Sequence, residues 1–139
     1  MSIFNGLQIN ASGLSLERMK LDVASTNIAN VNTTTTAEGA PHKKKTVEFS
    51  ENIRQAQGTN KITSAGVKVT NIAEDNTTKL TYDPTNPDAD ANGYVEMPNV
   101  NMADEMVDMI QAMRTYEANV SSTEANKNIL KKALEISKD

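Results

Sequence analysis

The chain has 139 residues, of which 37% are apolar, so it supplies sequence for one domain with a small core. The absence of cysteine excludes disulfides, thiolate metal sites and cysteine nucleophiles. A net charge of -4 with scattered basic residues argues against a nucleic-acid interface, and a single histidine without tryptophan argues against a histidine triad and an aromatic pocket.

The first predicted element is a helix over residues 2–30, because its apolar residues recur with helical periodicity. With about 100° of rotation per residue, they form two stripes on roughly opposite sides of the helix. The first stripe consists of Ile3, Leu7, Ala11, Leu14, Leu21 and Ile28, and the second of Ile9, Leu16, Met19 and Val23. Gly6 and Gly13 each weaken an isolated helix by about 1 kcal/mol relative to alanine, so packing must hold it.

The middle of the chain, residues 32–100, is rich in Thr, Asn, Gly and Pro and predicts short strands. Turn signals separate the candidate strands, which cover residues 46–49, 67–72, 80–82 and 94–97. Two further stretches, residues 30–36 and 55–65, are predicted to be solvated connectors.

The strongest periodic signal predicts a helix over residues 102–137, with Asn101 as its N-cap. Steps of four and three residues give the a/d seam of a coiled coil, interrupted at Thr123 and Lys127. The apolar members of the seam are Met102, Met106, Met109, Met113, Tyr116, Val120, Leu130 and Leu134. Such a helix is about 54 Å long, whereas a compact globule of this length is roughly 37 Å across. Without Pro or Gly to bend it, the helix is expected to project.

The two terminal helices are predicted to pair antiparallel, because the strand-rich insert can return the chain to its start. This arrangement is an α+β fold with a coiled-coil-like inner domain, residues 1–31 and 101–139, and a small β-rich or irregular outer segment, residues 32–100. One stripe of the N-terminal helix should face its partner and the other should stay exposed, and exposed apolar surface of this size usually marks an interaction site.

Some polar residues have both a chemical and a structural interpretation. Residues 88–93 match the first half of an EF-hand calcium loop, but Asn99 replaces the glutamate at position twelve, so an Asx-type turn is favoured. His42 is interpreted as a solvated loop residue. The lysine run at residues 43–45 is interpreted as protection of a strand edge, with contact to an acidic partner as the alternative.

The charged and sulfur-containing residues of the C-terminal helix also have two interpretations. Its carboxylates are expected on solvated faces and in interhelical ion pairs rather than as a catalytic acid pair. They are Glu105, Asp108, Glu117 and Glu124. The methionines suit adaptable packing against varied neighbours better than a soft-metal site.

Two motifs resemble a known family. The first helix closes with the sequence STNIANVNT at residues 25–33, which resembles the S-x-N-[LI]-A-N-x-x-T signature of bacterial flagellar axial proteins. These are the rod, hook and hook-associated subunits. Residues 82–101, which include YDP, PDADA and GYVEMPNVN, are similar to basal-body rod proteins in particular, as is YEAN at residues 116–119. The sequence PHKKK at residues 41–45 departs from the expected pattern, where an aromatic residue would precede the first strand.

The resemblance implies a structural, non-enzymatic subunit of the proximal rod, stacked helically through its terminal helices to transmit torque, without cofactor, metal or small-molecule substrate. It implies as partners copies of the chain, the rod proteins FlgB, FlgF and FlgG, membrane-ring and rod adaptor proteins, and the flagellar type III export apparatus. It also implies a place in the periplasmic part of the cell envelope, reached without a cleavable signal peptide.

Assembly is expected to use the apolar stripes and the signature. The residues are Leu7, Leu14, Leu21, Ile28, Asn27 and Asn30 on the first helix, with Met102, Met106, Met109, Met113, Tyr116, Val120, Leu130 and Leu134 on the second. Two alternatives stay open at this point. The chain could be another axial subunit of the rod or hook, or a soluble coiled-coil adaptor that forms a discrete dimer.

Overall fold

The computed structural model of the chain describes residues 3–55 and 62–136. Two helices enclose four strands in the sequence. The elements are α1 (Ile3–Ala29), β1 (Lys44–Gln55), β2 (Ile62–Asp75), β3 (Thr78–Tyr82), β4 (Tyr94–Pro98) and α2 (Met102–Ile136). This order confirms the predicted α+β fold, with long terminal helices and a β-rich insert between them. Neither of these helices, over its described residues, combines the length and apolar character needed to cross a bilayer.

The start of α2 follows the predicted cap. Asn101 Oδ1 accepts a hydrogen bond from the backbone N–H of Ala103 over 3.1 Å, and Asn101 O accepts from the N–H of Glu105 over 3.1 Å. Asp104 and Glu105 place negative charge in the first turn, where the helix dipole favours it. The helix then continues without a Pro or Gly to break it, for about 52 Å.

The strands form two separate antiparallel ribbons, β1 with β2 and β3 with β4. All four predicted strands are present. The prediction of a connector over residues 55–65 was wrong at both ends, because β1 runs to Gln55 and β2 already begins at Ile62. Pairing of Gln55 with Ile62 across the ribbon stabilises strand where the local sequence shows no periodicity. The rest of that connector, residues 56–61, lies outside the described residues.

A β-bulge keeps the apolar side chains of the long ribbon on one face. Val47 pairs with Ile72, and Phe49, two residues on, pairs with Val69, three residues back. Thr70 is therefore the extra residue of the bulge. Without the bulge, the regular alternation of side chains along β2 would place Val69, three residues from Ile72, on the opposite face of the ribbon.

The long ribbon covers one side of α1. Val67 donates its backbone N–H to Ser12 Oγ over 3.1 Å, and Lys20 Nζ lies 5.0 Å from the centre of the Phe49 ring. Leu16, from the second apolar stripe of α1, is only 5% exposed. The expectation that one stripe of α1 stays exposed was therefore wrong for this stripe, because the ribbon packs against it.

Candidate assembly surface

Helices α1 and α2 pair antiparallel, as predicted, and their contacts recur at intervals of one heptad. Gly6 faces Asn126, Gly13 faces Asn119, and Asn27 faces Glu105. Between the first two pairs, Asn10 Nδ2 donates to Ser122 Oγ over 2.9 Å. A Cβ atom at Gly13 would come within 2.9 Å of Asn119 Nδ2. The helices thus approach closely through small and polar residues rather than through the leucine stripe alone.

The face of α2 that meets α1 is rotated away from the predicted methionine seam. Glu105 and Ala112 are each 3% exposed, whereas Met106 and Met113, one residue further along, are 51% and 47% exposed. The close approach at Gly13 explains the rotation, because the narrow gap accepts Ala or Asn side chains but not the longer methionine. The methionines of the predicted seam are consequently left on the flank of the pair.

The other flank of the helix pair faces β1 across an open groove of about 480 Å³. Asp108 and Thr115 line this groove from α2. At about 100° per residue, Met106 and Met113 lie on roughly the opposite side of α2 from these two residues. Val23 of α1 also lines the groove. By the same rotation of about 100° per residue, the leucine stripe lies on roughly the opposite side of α1 from Val23. The leucine and methionine stripes therefore share one side of the pair, facing away from β1.

We call this side of the helix pair the back surface. It consists of Leu7, Leu14, Leu21 and Ile28 from α1 and of Met102, Met106, Met109, Met113 and Val120 from α2. The four α1 residues, Met109 and Val120 are half-buried, and the other three methionines are exposed. The back surface thus joins most of the residues that the sequence nominated for assembly.

The remaining nominated residues lie elsewhere. Tyr116 and Leu130 lie near the α1-facing side of α2, and Leu134 is exposed toward its C-terminal end. Asn30 closes α1 locally, because its Nδ2 donates to the backbone oxygen of Thr26 over 2.9 Å. Within the chain, Asn30 therefore stabilises the end of α1.

Asn27 is fully buried inside the chain. Its Nδ2 donates to the backbone oxygen of Lys45 over 2.8 Å and to Glu105 Oε2 over 3.0 Å. Its Oδ1 accepts the backbone N–H of Lys45 over 2.9 Å and lies 3.3 Å from His42 Nε2. The carboxamide therefore pairs with the Lys45 backbone as a neighbouring strand would, and it joins α1, β1 and α2 at one point.

Glu105 lies buried beside Asn27, which corrects its interpretation as part of a solvated face. Lys44 Nζ approaches Glu105 Oε1 to 2.9 Å. Hydrogen bonding to Glu105 raises the pKa of Lys44. The first lysine of β1 therefore serves an ion pair within the chain, and the buried carboxylate of Glu105 contacts this cation and the amide donor of Asn27.

His42 lies in a loop, as predicted, but it is half-buried rather than fully solvated. Burial, and then the positive charge of Lys45, lower the pKa of His42, while the negative charge of Glu74 opposes them. The contact with Asn27 explains the burial, since it draws the residues before β1 against the end of α1. The sequence offered no local signal for this contact.

The loop at residues 88–93 forms the predicted Asx-type turn. Asp90 Oδ1 accepts the backbone N–H of Asn92 over 2.8 Å, and Asp88 Oδ2 accepts the hydroxyls of Thr34 and Thr35 over 2.7 and 2.6 Å. The hydroxyls of Thr35 and Thr34 lower the pKa of Asp88, and the backbone N–H of Tyr94, which donates to Asp90 Oδ1 over 2.8 Å, is the main cause of the lowered pKa of Asp90. Among the described residues, no group of three or more acidic, histidine or cysteine side chains is arranged to hold a metal ion.

Comparison with known proteins assigns this architecture to a family. The family described as "Flagella basal body rod protein" matches residues 7–35, and that described as "Flagellar basal body rod FlgEFG protein C-terminal" matches residues 91–136. The chain is 41% identical to the flagellar basal-body rod protein FlgC of Bacillus subtilis, over 99% of this chain and 100% of the relative. It is 37% identical to FlgC of Borreliella burgdorferi, over 98% of each chain. It is 38% identical to FlgC of Salmonella typhimurium, over 96% of this chain and 97% of the relative. Near-complete coverage at this identity means that the chain belongs to the FlgC family of flagellar basal-body rod proteins.

Proposed function

We propose that the chain is a structural subunit of the proximal part of the flagellar rod, stacked helically through its terminal helices to transmit torque. Membership of the FlgC family makes it a component of the basal-body rod rather than an enzyme, in association with other rod components. The inner part of the subunit would be residues 1–31 and 101–139, and the outer part residues 32–100.

The back surface is the observation that carries this proposal. Met102, Met106 and Met113 are exposed on the same side of the helix pair as the half-buried leucine stripe. Contiguous apolar surface of this kind is buried in most soluble proteins, and burying it between subunits supplies the driving force for assembly. Methionine adapts to irregular gaps, so one surface can pack against neighbours that differ. Copies of the chain and the rod proteins FlgB, FlgF and FlgG are the proposed neighbours, with membrane-ring and rod adaptor proteins at the base.

The α1–α2 contact suits export before assembly. Glycine and asparagine side chains offer little apolar area where the two helices meet, so we infer that packing against other elements and subunits supplies part of the stability of the helix pair. A chain threaded through a narrow channel must stay unfolded until it arrives. We therefore infer delivery to the periplasmic rod by the flagellar type III export apparatus, without a cleavable signal peptide.

A charge on the back surface tests the proposal. Met113→Asp should leave the isolated chain folded, because Met113 is already half-exposed, but it should bury an unpaired carboxylate on assembly and cost several kcal/mol there. Cells that produce this variant should not swim, and their purified basal bodies should lack the chain by mass spectrometry. Ala118→Asp is the matched control, because Ala118 is exposed on another side of α2.

Normal swimming and normal incorporation of Met113→Asp would contradict the role of the back surface. Absence of the wild-type chain from purified basal bodies would contradict the rod assignment itself. A purified chain that forms only a discrete dimer would instead favour a soluble adaptor.

A further inference from the structure

The glycine–asparagine contacts of the helix pair do not by themselves select one register. Gly6 and Gly13 are seven residues apart, as are their partners Asn126 and Asn119. If α2 slid by one heptad, Gly13 would face Asn126, or Gly6 would face Asn119, and one such contact would form again. These contacts therefore fix which faces meet, but they allow three related alignments along the helix axis.

Charge does not select the native alignment either. In the slide that brings Gly6 opposite Asn119, the same seven-residue shift brings Lys20 opposite Glu105. Lys20 pairs with Glu17 over 3.1 Å in the native alignment, and the slipped alignment would bring the same ammonium beside Glu105, so a cation would face that carboxylate in either state. The native pair must therefore contain a contact that neither slipped alignment can replace.

Asn27 makes that contact. It is fully buried, and its carboxamide forms hydrogen bonds with the backbone N–H and C=O of Lys45 and with Glu105 Oε2. A slide of α2 in one direction brings Ala112 opposite Asn27, and a slide in the other leaves Asn27 beyond the start of α2 at Met102. Either slide removes the carboxylate from the buried amide and separates Glu105 from Lys44.

We propose that the cluster of Asn27, Glu105 and Lys44 fixes the register of the helix pair and, through the Lys45 backbone, the position of the long ribbon against it. A buried donor that loses its charged partner costs more than the partner contributes when bound, so the slipped states are selected against. Single polar residues specify register in coiled coils by this means, and registry is the best-attested role of buried ion pairs. This inference concerns the fold of one chain and does not depend on the rod.

Thiol cross-linking of the full-length chain reads the register directly. The chain has no cysteine, so each introduced pair reacts only with itself. Asn10→Cys is combined in turn with Ser122→Cys, Thr115→Cys and Ile129→Cys, and each purified protein is treated with a short bifunctional thiol reagent. Asn10 and Ser122 are in contact in the native alignment, and the other two positions lie one heptad to either side of Ser122. The intramolecularly cross-linked fraction is measured by mass spectrometry.

The native pair should cross-link preferentially in the otherwise wild-type chain. Asn27→Ala or Glu105→Ala should lower the ratio of native to slipped cross-links by about tenfold or more, the effect of losing one hydrogen bond to a charged group. Glu105→Gln keeps an acceptor for the Asn27 amide and should preserve more of the native ratio than Glu105→Ala. Asn30→Ala, which removes an asparagine from the same helix end, should leave the ratio unchanged.

Three results would overturn the proposal. The first is a wild-type chain that shows no preference among the three pairs, and the second is a native ratio that both alanine variants keep. The third is the loss of all three cross-links together in both variants, which would mean that the cluster stabilises the pair without selecting its alignment.

Discussion

Asn27 Nδ2 donates a hydrogen bond to Glu105 Oε2 across 3.0 Å, between residues that are 78 positions apart in the chain. The bond joins the last turns of α1 to the first turn of α2, at the point where both connections to the strands leave the helix pair. Because Asn27 also pairs with the backbone of Lys45, the start of β1 is fixed at the same place. The signature asparagine thus joins α1, β1 and α2 through contacts within one chain.

Replacing the amide with a carboxylate should be severely destabilising. Asn27→Asp would place a second buried negative charge beside Glu105 and would set an acceptor against the carbonyl oxygen of Lys45. We expect a loss of about 3–5 kcal/mol in the free energy of unfolding, measured by urea denaturation of the full-length chain. Asn30→Asp is the matched control and should cost no more than about 1 kcal/mol. Equal losses in the free energy of unfolding for the two variants would show that the burial of Asn27 does not cause the destabilisation.

Gly66 should be far less tolerant of alanine than Gly39. Both have positive φ, +98° and +76°, so both substitutions carry the left-handed backbone strain of about 1–2 kcal/mol. A Cβ at Gly66 would also overlap Ser12 Oγ, whereas a Cβ at Gly39 meets nothing within 4 Å. Gly66→Ala should therefore cost about 1–3 kcal/mol more than Gly39→Ala in thermal or urea unfolding. Similar costs would mean that α1 does not pack on the long ribbon this closely.

The close approach at Gly13 can be tested with a double-mutant cycle. Gly13→Ala should stabilise the chain by less than the about 1 kcal/mol that alanine gains over glycine in a helix, because the new Cβ would displace Asn119 Nδ2, which it would meet at 2.9 Å. In an Asn119→Ala background the same substitution should stabilise it, by up to about 1 kcal/mol, since alanine is the better helix former and the obstruction is gone. Unfolding free energies of the four proteins give the coupling. Additive effects on the free energy of unfolding would mean that Gly13 and Asn119 are not in contact.

His42 should make the chain less stable in mild acid. Its pKa in the folded chain lies below the ordinary value of 6.5, so the unfolded chain binds the proton first as the pH falls. The contribution of neutral His42 is therefore present above pH 6.5 and is lost as the pH falls from there through the lower folded pKa. His42→Gln should reduce the change in the free energy of unfolding between about pH 7 and pH 5, since His42 is the single histidine of the sequence. An unchanged slope would mean that the ring is solvated.

The sequence predicts the periodic elements well and the contacts between them poorly. Both helices and all four strands follow from apolar spacing and turn residues, which act locally. The burial of Glu105 could not be predicted, because its partners Asn27 and Lys44 are distant in sequence and nothing local marks a carboxylate for burial. The heptad pattern predicts that the Met106 side of α2 faces α1, because this is the most apolar side of the helix. The close approach of the helices at Gly13 instead favours short side chains between them, and Met106 stays exposed.

The central claim is that the back surface is an interface between rod subunits, and site-specific photo-cross-linking in cells tests it most directly. A photoreactive amino acid replaces Met106 on the back surface or, as the control, Ala118 on another side of α2. The account predicts that light joins the Met106 position to neighbouring rod subunits in purified basal bodies, while the Ala118 position yields markedly less product. An incorporated chain that forms no inter-subunit cross-link from Met106, or forms as many from Ala118, would contradict it.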